Sequence, residues 1–422
     1  MCFLSHRPDM IIAGRMMPAA SNPTPITVVR DRTTFAQQGA AWDALASRFG
    51  NPLLSHDWFV SCSEAFGGDL HVVEAWRDGR LVAAAPLVAS AAQSSGRLEF
   101  LGAAALYEPC TLLYEDEAAL HDLCKGLVDL SRPLLLQRIP TAIPVHTALR
   151  TAGGGGWWTT QDGGDCPYSA LPQTWNDYLG TRSAQRRYDL RRARRRMEAR
   201  GRAGFRFLTP TESELDALLE RAFAIEASGW KGRGGSAIAL RPAMRNFLVR
   251  YARRACRTGL LRICFLDLDS DPVAVEIAVQ AHDRFWVLKI GYDERWAQCS
   301  PGLQLLTECV RESIASGCVG HEFLGSAEPW ILPWADSVRS HETLRYYPRN
   351  WRGMTAWGID QAARLKGVQP VRALRRRVER PSASNDAPMS PSVPGSGTVT
   401  SPSRTSQTRC SSPMPSSSCE PK

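Results

Sequence analysis

The chain has 422 residues, 44% of them hydrophobic and 22% charged, with a formal net charge of +9. That length calls for two domains with tails rather than one core, and no run nears the roughly 20 apolar residues that span a bilayer. The patches Cys2-Phe3-Leu4 and Met10-Ile11-Ile12-Ala13 are too short for a signal-peptide core, so residues 1–25 read as a disordered leader of a cytoplasmic protein.

Trp42, Leu45 and Phe49 predict a first helix by their i, i+3, i+7 spacing, and Trp58, Phe59, Cys62 and Phe66 predict a second. Strands over 70–76 and 81–88 flank Arg77-Asp78-Gly79-Arg80, where Asp-Gly is a hairpin signal. A strand over 98–101, a helix over 118–130 and a strand over 134–139 complete a first half, residues 26–150. Gly153-Gly154-Gly155-Gly156 and Asp162-Gly163-Gly164 predict turns. The four glycines lack the Gly-Lys-Ser/Thr ending of a phosphate loop, so 151–174 is expected to be a flexible connection.

A dense arginine block runs from Arg182 to Arg206, with Leu190, Ala193 and Met197 at helical spacing. Thr209-Pro210-Thr211-Glu212 has the capping-box pattern, and Leu215, Leu218, Leu219, Ala222 and Phe223 form the stripe of the helix after it. Strands over 260–266 and 272–280 make a second hairpin around Asp269-Ser270-Asp271, and 285–291 is a third strand. Ser300-Pro301-Gly302 opens a helix with Leu303, Leu306 and Val310 on one face, and 318–324 is a closing strand. A basic helix over 361–380 and a disordered Ser/Pro-rich tail over 381–422 follow the second half, residues 175–360. Both halves run helix, helix, hairpin, strand, loop, helix, strand. This repeat predicts an α/β (α+β) protein made by tandem duplication, each half a mixed, mostly antiparallel sheet flanked by helices.

The twelve cysteines include no Cys-x-x-Cys pair, and the histidines form no His-x-x-x-His pair. A metal site is therefore not expected, and the thiols read as reduced and mostly buried.

The stretch Lys289 to Leu306 is the most informative. A strand carrying Ile290 and Gly291 ends, a polar loop follows, and a helix starts at Ser300, Pro301, Gly302 and Leu303. A first helical turn has unpaired N–H groups and positive partial charge. Glycine permits close approach, and proline removes a donor that lacked a partner anyway. This is an anion site suited to a diphosphate such as that of coenzyme A, or else an ordinary turn with Ser300 as N-cap.

The same stretch resembles the acyl-CoA pyrophosphate loop of the GNAT superfamily, and more narrowly the bacterial CelD-type (cellulose-biosynthesis-associated) acetyltransferases. The resemblance rests on the arginine-rich helix Arg186 to Arg196, Glu226 followed by Trp230-Lys231-Gly232, Tyr292-Asp293, Ser300-Pro301-Gly302 and Glu322-Phe323-Leu324-Gly325. It covers residues 170 to 335 well and the first half more loosely. Ser300 stands where the general loop has its first glycine, and a lysine common after the last motif is replaced by Pro329-Trp330-Ile331. The first half has no Ser-Pro-Gly equivalent, which implies two GNAT-like halves and one acyl-CoA site per chain.

The resemblance implies an N-acyltransferase that moves an acyl group, acetyl above all, from CoA to an amine without a covalent enzyme intermediate. The acceptor would be an amino sugar, amino acid or polysaccharide precursor. Glu226 is the first candidate for the base that deprotonates the ammonium, against a reading as a surface carboxylate at a helix end. Glu276 is the second, against a reading as an outward-facing strand residue. Tyr292 is the candidate acid for the departing thiolate, or else a core tyrosine. Trp230, Lys231, Asp293 and Arg187 are the candidate substrate contacts. The arginine block is either a solvated face or a positive wall for an acidic acceptor, CoA phosphate or RNA. Two other readings stay open: a Fem-like transferase that takes its acyl group from aminoacyl-tRNA, and an inactive scaffold that docks an acidic partner.

Overall fold

The computed structural model describes residues 24–89, 95–229 and 237–365. Residues 1–23 of the expected leader, the distal part of the basic helix and the Ser/Pro-rich tail lie outside them.

The chain begins with β1 (Ile26–Val29), α1 (Arg32–Ala36), α2 (Gly39–Ala46) and α3 (His56–Phe66). The hairpin β2 (Asp69–Arg77) and β3 (Arg80–Ala89) turns at Asp78 and Gly79, whose φ angles of +51° and +72° are those the Asp-Gly signal demands. Then come β4 (Leu98–Phe100), α4 (Ala103–Leu106), β5 (Leu113–Tyr114), α5 (Glu117–Asp129), β6 (Leu134–Pro140) and α6 (Val145–Thr151). The next elements are β7 (Trp157–Ala170), α7 (Trp175–Thr181), α8 (Ala184–Glu198), β8 (Ala203–Leu208), α9 (Glu212–Ala227) and α10 (Pro242–Arg257). Last are β9 (Leu261–Leu268), β10 (Asp271–Ala281), β11 (Arg284–Tyr292), α11 (Pro301–Ala315), β12 (Gly320–Glu322), β13 (Ser337–Tyr347) and α12 (Trp351–Leu365). The capping box of α9 falls two residues later than the sequence pattern suggests. The Glu214 carboxylate accepts from the Thr211 N–H and hydroxyl, so Pro210 precedes the cap instead of opening the helix.

One mixed sheet runs through the molecule in the order β1-β2-β3-β4-β6-β13-β7-β12-β11-β10-β9-β8, with β5 against β3. Both flanks are antiparallel meanders. Each flank contains one parallel pair, β4 with β6 and β11 with β12. The repeat extends to the backbone. Arg138 lies four residues after the first paired residue of β6, Leu134, and Leu324 lies four after Gly320 of β12; both have φ of +55°. Duplicated order in the sequence is thus duplicated topology.

The centre of the sheet corrects the expected connection over 151–174. Most of that segment is β7, 14 residues long and paired with β13 from Trp157–Tyr347 to Tyr168–Ser337. β13 also pairs with β6, and β7 with β12, so the latest strand completes the first flank and an early strand completes the second. The glycines taken as turns permit this contact. A Cβ on Gly156 would stand 2.4 Å from the Tyr347 carbonyl oxygen, and one on Gly163 would stand 2.9 Å from the His341 carbonyl carbon.

Helices α3 and α10 join the flanks on one face. Trp58 meets Phe247 and Tyr251 edge-on at 5.0 and 4.9 Å, and Phe66 stacks on Phe247 at 5.3 Å. Burial of these rings supplies much of the contact energy, about 0.5–1.5 kcal/mol per aromatic pair beyond area alone. At the far end, Asp360 of α12 receives both Arg97 guanidinium nitrogens at 3.0 and 2.7 Å, and the Tyr347 hydroxyl donates to it. The nine described cysteines are free and buried, in keeping with the reading of their settings. No helix among the described residues is long and apolar enough to cross a membrane. The described residues contain no cluster of three or more metal-ligating side chains.

Candidate active site at the splayed strand

Parallel pairing of β11 with β12 covers Arg284–Trp286 alone, while β10 accompanies β11 to Tyr292. The remainder of β11, Val287 to Tyr292, therefore has one edge without a partner strand among the described residues. Unpaired strand N–H and C=O groups are strong hydrogen-bonding sites. Ile290 and Gly291 belong to this stretch of β11.

Gly291 determines what stands over the opening. A Cβ there would meet Cα, Cβ and Cγ of Glu226 at 2.7, 2.9 and 3.0 Å. The end of α9 thus rests directly on the β11 backbone. Glu226 is 5% exposed, and its Oε2 accepts from the Ile238 N–H at 2.9 Å. It is a buried carboxylate at the splayed end, and the reading as a surface carboxylate does not hold. Gly229 continues the contact, since its Cβ would lie 3.1 Å from the Tyr292 carbonyl oxygen.

The helix start is equally specific. Ser300 has φ +51° and ψ +53°, and its side chain makes no capping bond. Its carbonyl accepts from the Gln304 N–H at 3.1 Å, so the helix begins there with Pro301 in the first turn. No side chain among the described residues accepts from the Gly302 or Leu303 N–H, which sit where a helix leaves its donors unpaired. Ser300 thus occupies the N-cap position that the ordinary-turn reading gives it, but without a side-chain cap. The left-handed conformation costs a serine about 1 kcal/mol that glycine avoids. Ser300→Gly is expected to stabilise the protein by up to about 1 kcal/mol in urea denaturation; a loss would show that the hydroxyl has a role.

Tyr292 lies beside this turn, its Cδ1 3.2 Å from where a Cβ on Gly302 would stand. Gln304, which the sequence reading did not single out, fixes the turn from below. Its Nε2 donates to the Cys299 carbonyl at 2.7 Å and the Ala193 carbonyl of α8 at 3.2 Å. The Cys299 thiol donates to the Arg196 carbonyl at 3.7 Å. Helix α8 is thereby held against the start of α11. Its Arg191, Arg192, Arg195 and Arg196 are exposed and have no ion-pair partner among the described residues. Arg194 pairs with Glu198 and Glu308.

Other predicted residues stand elsewhere. Glu276 does not face outward: it is fully buried between β10 and α11 and pairs across the sheet with Cys264 and Ile290. Burial raises its carboxyl to about 8, with a smaller opposing effect from the Cys309 thiol. The structure thus separates the two candidate bases, Glu226 at the opening and Glu276 sealed beneath the helix. Asp293 holds the loop, accepting from the Arg295 N–H and guanidinium, which keeps it below the usual carboxylate range. Arg187 donates to the Leu179 and Arg182 carbonyls at 3.2 and 2.6 Å and so closes the end of α7. Trp230 and Lys231 lie outside the described residues.

The first flank also supports this region. Arg138, with no exposure, donates to the Gly325 carbonyl at 2.7 Å, and Glu108 accepts from the Gly325 N–H at 3.2 Å. Glu322 of the Glu-Phe-Leu-x-Gly motif is buried and receives Arg284 and Arg339, both at 2.8 Å. Its role in the structure is to tie β12 to β11 and β13.

Residues 184–330 match the family model described as an acetyltransferase (GNAT) domain. The likeness to that family covers this segment of the chain. The match encloses α8, the splayed β11 edge, the α11 start and β12. Among solved structures, FemX is similar at 9% identity, over 76% of this chain and 96% of that one, with a TM-score of 0.51. The C-terminal domain of a putative lysylphosphatidylglycerol synthetase from Agrobacterium fabrum is similar at 10% identity, over 79% of this chain and 97% of that one, with a TM-score of 0.49. At such identities the likeness is one of fold, here a large mixed sheet flanked by helices. A search of curated proteins gave no match.

Proposed function

We propose that the GNAT domain is an acyl-CoA-dependent N-acyltransferase of the CelD-type subgroup, moving an acetyl group directly to an amine acceptor. The observation that carries this reading is the uncapped start of α11, with unpaired Gly302 and Leu303 N–H groups beside exposed arginines of α8. That combination suits a diphosphate. The open edge of β11 supplies donors to the thioester carbonyl, at the place where negative charge develops during attack. Glu226, over Gly291, accepts the ammonium proton, and the Tyr292 hydroxyl gives a proton to the departing thiolate. Acetyl-CoA acts as cosubstrate, and the acceptor is an amino sugar, amino acid or polysaccharide precursor.

Titration of acetyl-CoA into the full chain tests this directly. Gly302→Asp is expected to weaken binding about tenfold or more, since it sets a carboxylate against the phosphates. Gly302→Ala separates charge from the contact with Tyr292 and is expected to lose less. Equal affinity for Gly302→Asp and the parent would remove the turn from the site.

A second reading is favoured by the unpaired arginine face of α8, a Fem-like transfer from aminoacyl-tRNA. Binding of tRNA whose affinity falls steeply with salt, together with indifference to acetyl-CoA, would select it.

A further inference from the structure

A pocket opens between the first flank and the start of α10. It has a volume of about 420 Å³ and lies where the end of α3, strands β3 and β4, helix α4 and the start of α10 meet. Its walls are Phe66, Val88, Phe100, Leu101, Ala105 and Ala243, with backbone at Gly67, Gly68 and Gly102. Gly67, with φ of +69°, has nothing within 4 Å of where its Cβ would be, so this wall is open space.

Glu99 is the one polar side chain among the lining residues. It is 6% exposed and makes no hydrogen bond or ion pair among the described residues. Its neighbour on the same strand face, Arg97, is engaged by Asp360 and the Ala356 carbonyl. A largely buried carboxyl without a hydrogen bond is costly and rarely left so. Burial raises its proton affinity, with a smaller opposing effect from Arg97. A cationic ligand would provide the missing partner.

We propose that this pocket binds a small primary amine with an apolar body, its ammonium paired with the Glu99 carboxylate. The site is separate from the splayed strand of the GNAT domain. Strand β4 is five inter-strand steps from β11 in the sheet order, about 24 Å at about 4.8 Å per step. An amine held here is therefore not the acceptor of a reaction at β11, and the proposal stands whether or not acyl-CoA binds there.

Hexylamine, hexanol and hexanoate share one apolar body and differ in head group, and they are titrated by calorimetry into the full chain at neutral pH. Hexylamine is expected to bind about tenfold or more tightly than hexanol, with hexanoate the weakest. Glu99→Gln is expected to bring hexylamine to the level of hexanol, and Ala105→Leu, which fills the pocket, to weaken both. Equal binding of hexylamine and hexanol by the parent protein would overturn the proposal. So would a Glu99→Gln protein that keeps the preference for the amine, or an Ala105→Leu protein with unchanged affinities.

Discussion

Glu276→Met is expected to raise stability at pH 8 and to remove most of a decline that the parent protein shows as pH rises from about 5 to about 8. The folded carboxyl keeps its proton up to about 8 because it has no exposure between β10 and α11. The unfolded carboxyl loses its proton near pH 4.3. Between those values the folded state binds more protons, so stability present at low pH is lost as pH rises. The slope is about 1.4 kcal/mol per unit, on the order of 5 kcal/mol over the window. Methionine has similar volume and suits the apolar neighbours Ala274, Ala278 and Leu305 of this core. Urea midpoints for both proteins across this range decide the matter, because their difference cancels the other titrating groups. Parallel curves would mean that the carboxyl is ionised in the fold or reaches solvent.

Gly291→Val is expected to cost about 3 kcal/mol and to weaken acetyl-CoA binding more than tenfold. The new Cβ would fall 2.7 Å from the Glu226 Cα, which is helix backbone and cannot turn aside. Two further methyl groups would then force α9 off the strand. That shift moves the Glu226 carboxylate away from the open edge of β11 and breaks its hydrogen bond with Ile238. Denaturation measures the first effect and calorimetry the second. A variant as stable as its parent would show that α9 does not rest on the strand. A destabilised variant with unchanged affinity would separate Glu226 from the donor site.

The local elements were legible wherever the physics is local. Asp78-Gly79 predicted its hairpin because the turn needs positive φ at both residues, and both adopt it. The stripe of Leu215, Leu219, Ala222 and Phe223 is the buried face of α9, as periodicity requires. The helix start at Ser300-Pro301-Gly302 was readable because proline fixes its own φ and suits a first helical turn by itself. The likeness of residues 184–330 to an acetyltransferase (GNAT) domain was legible from motifs that sit at strand ends and helix starts.

Tertiary structure alone decided how distant segments meet. Gly156 and Gly163 looked like turn residues because glycine serves turns and close strand contacts alike. Only the arrival of β13, nearly two hundred residues later in the sequence, shows that they serve contact. Glu276 and Glu226 are equivalent as letters, but burial beneath α11 separates one from the opening that the other occupies. Arg187 and Asp293 had the charges for a substrate, and in the fold Arg187 Nη1 donates to backbone carbonyls while Asp293 accepts from Arg295. Spacing along a chain fixes which face a residue takes within its own element. Which surface covers that face depends on packing between elements, and desolvation there raises the proton affinity of Glu276.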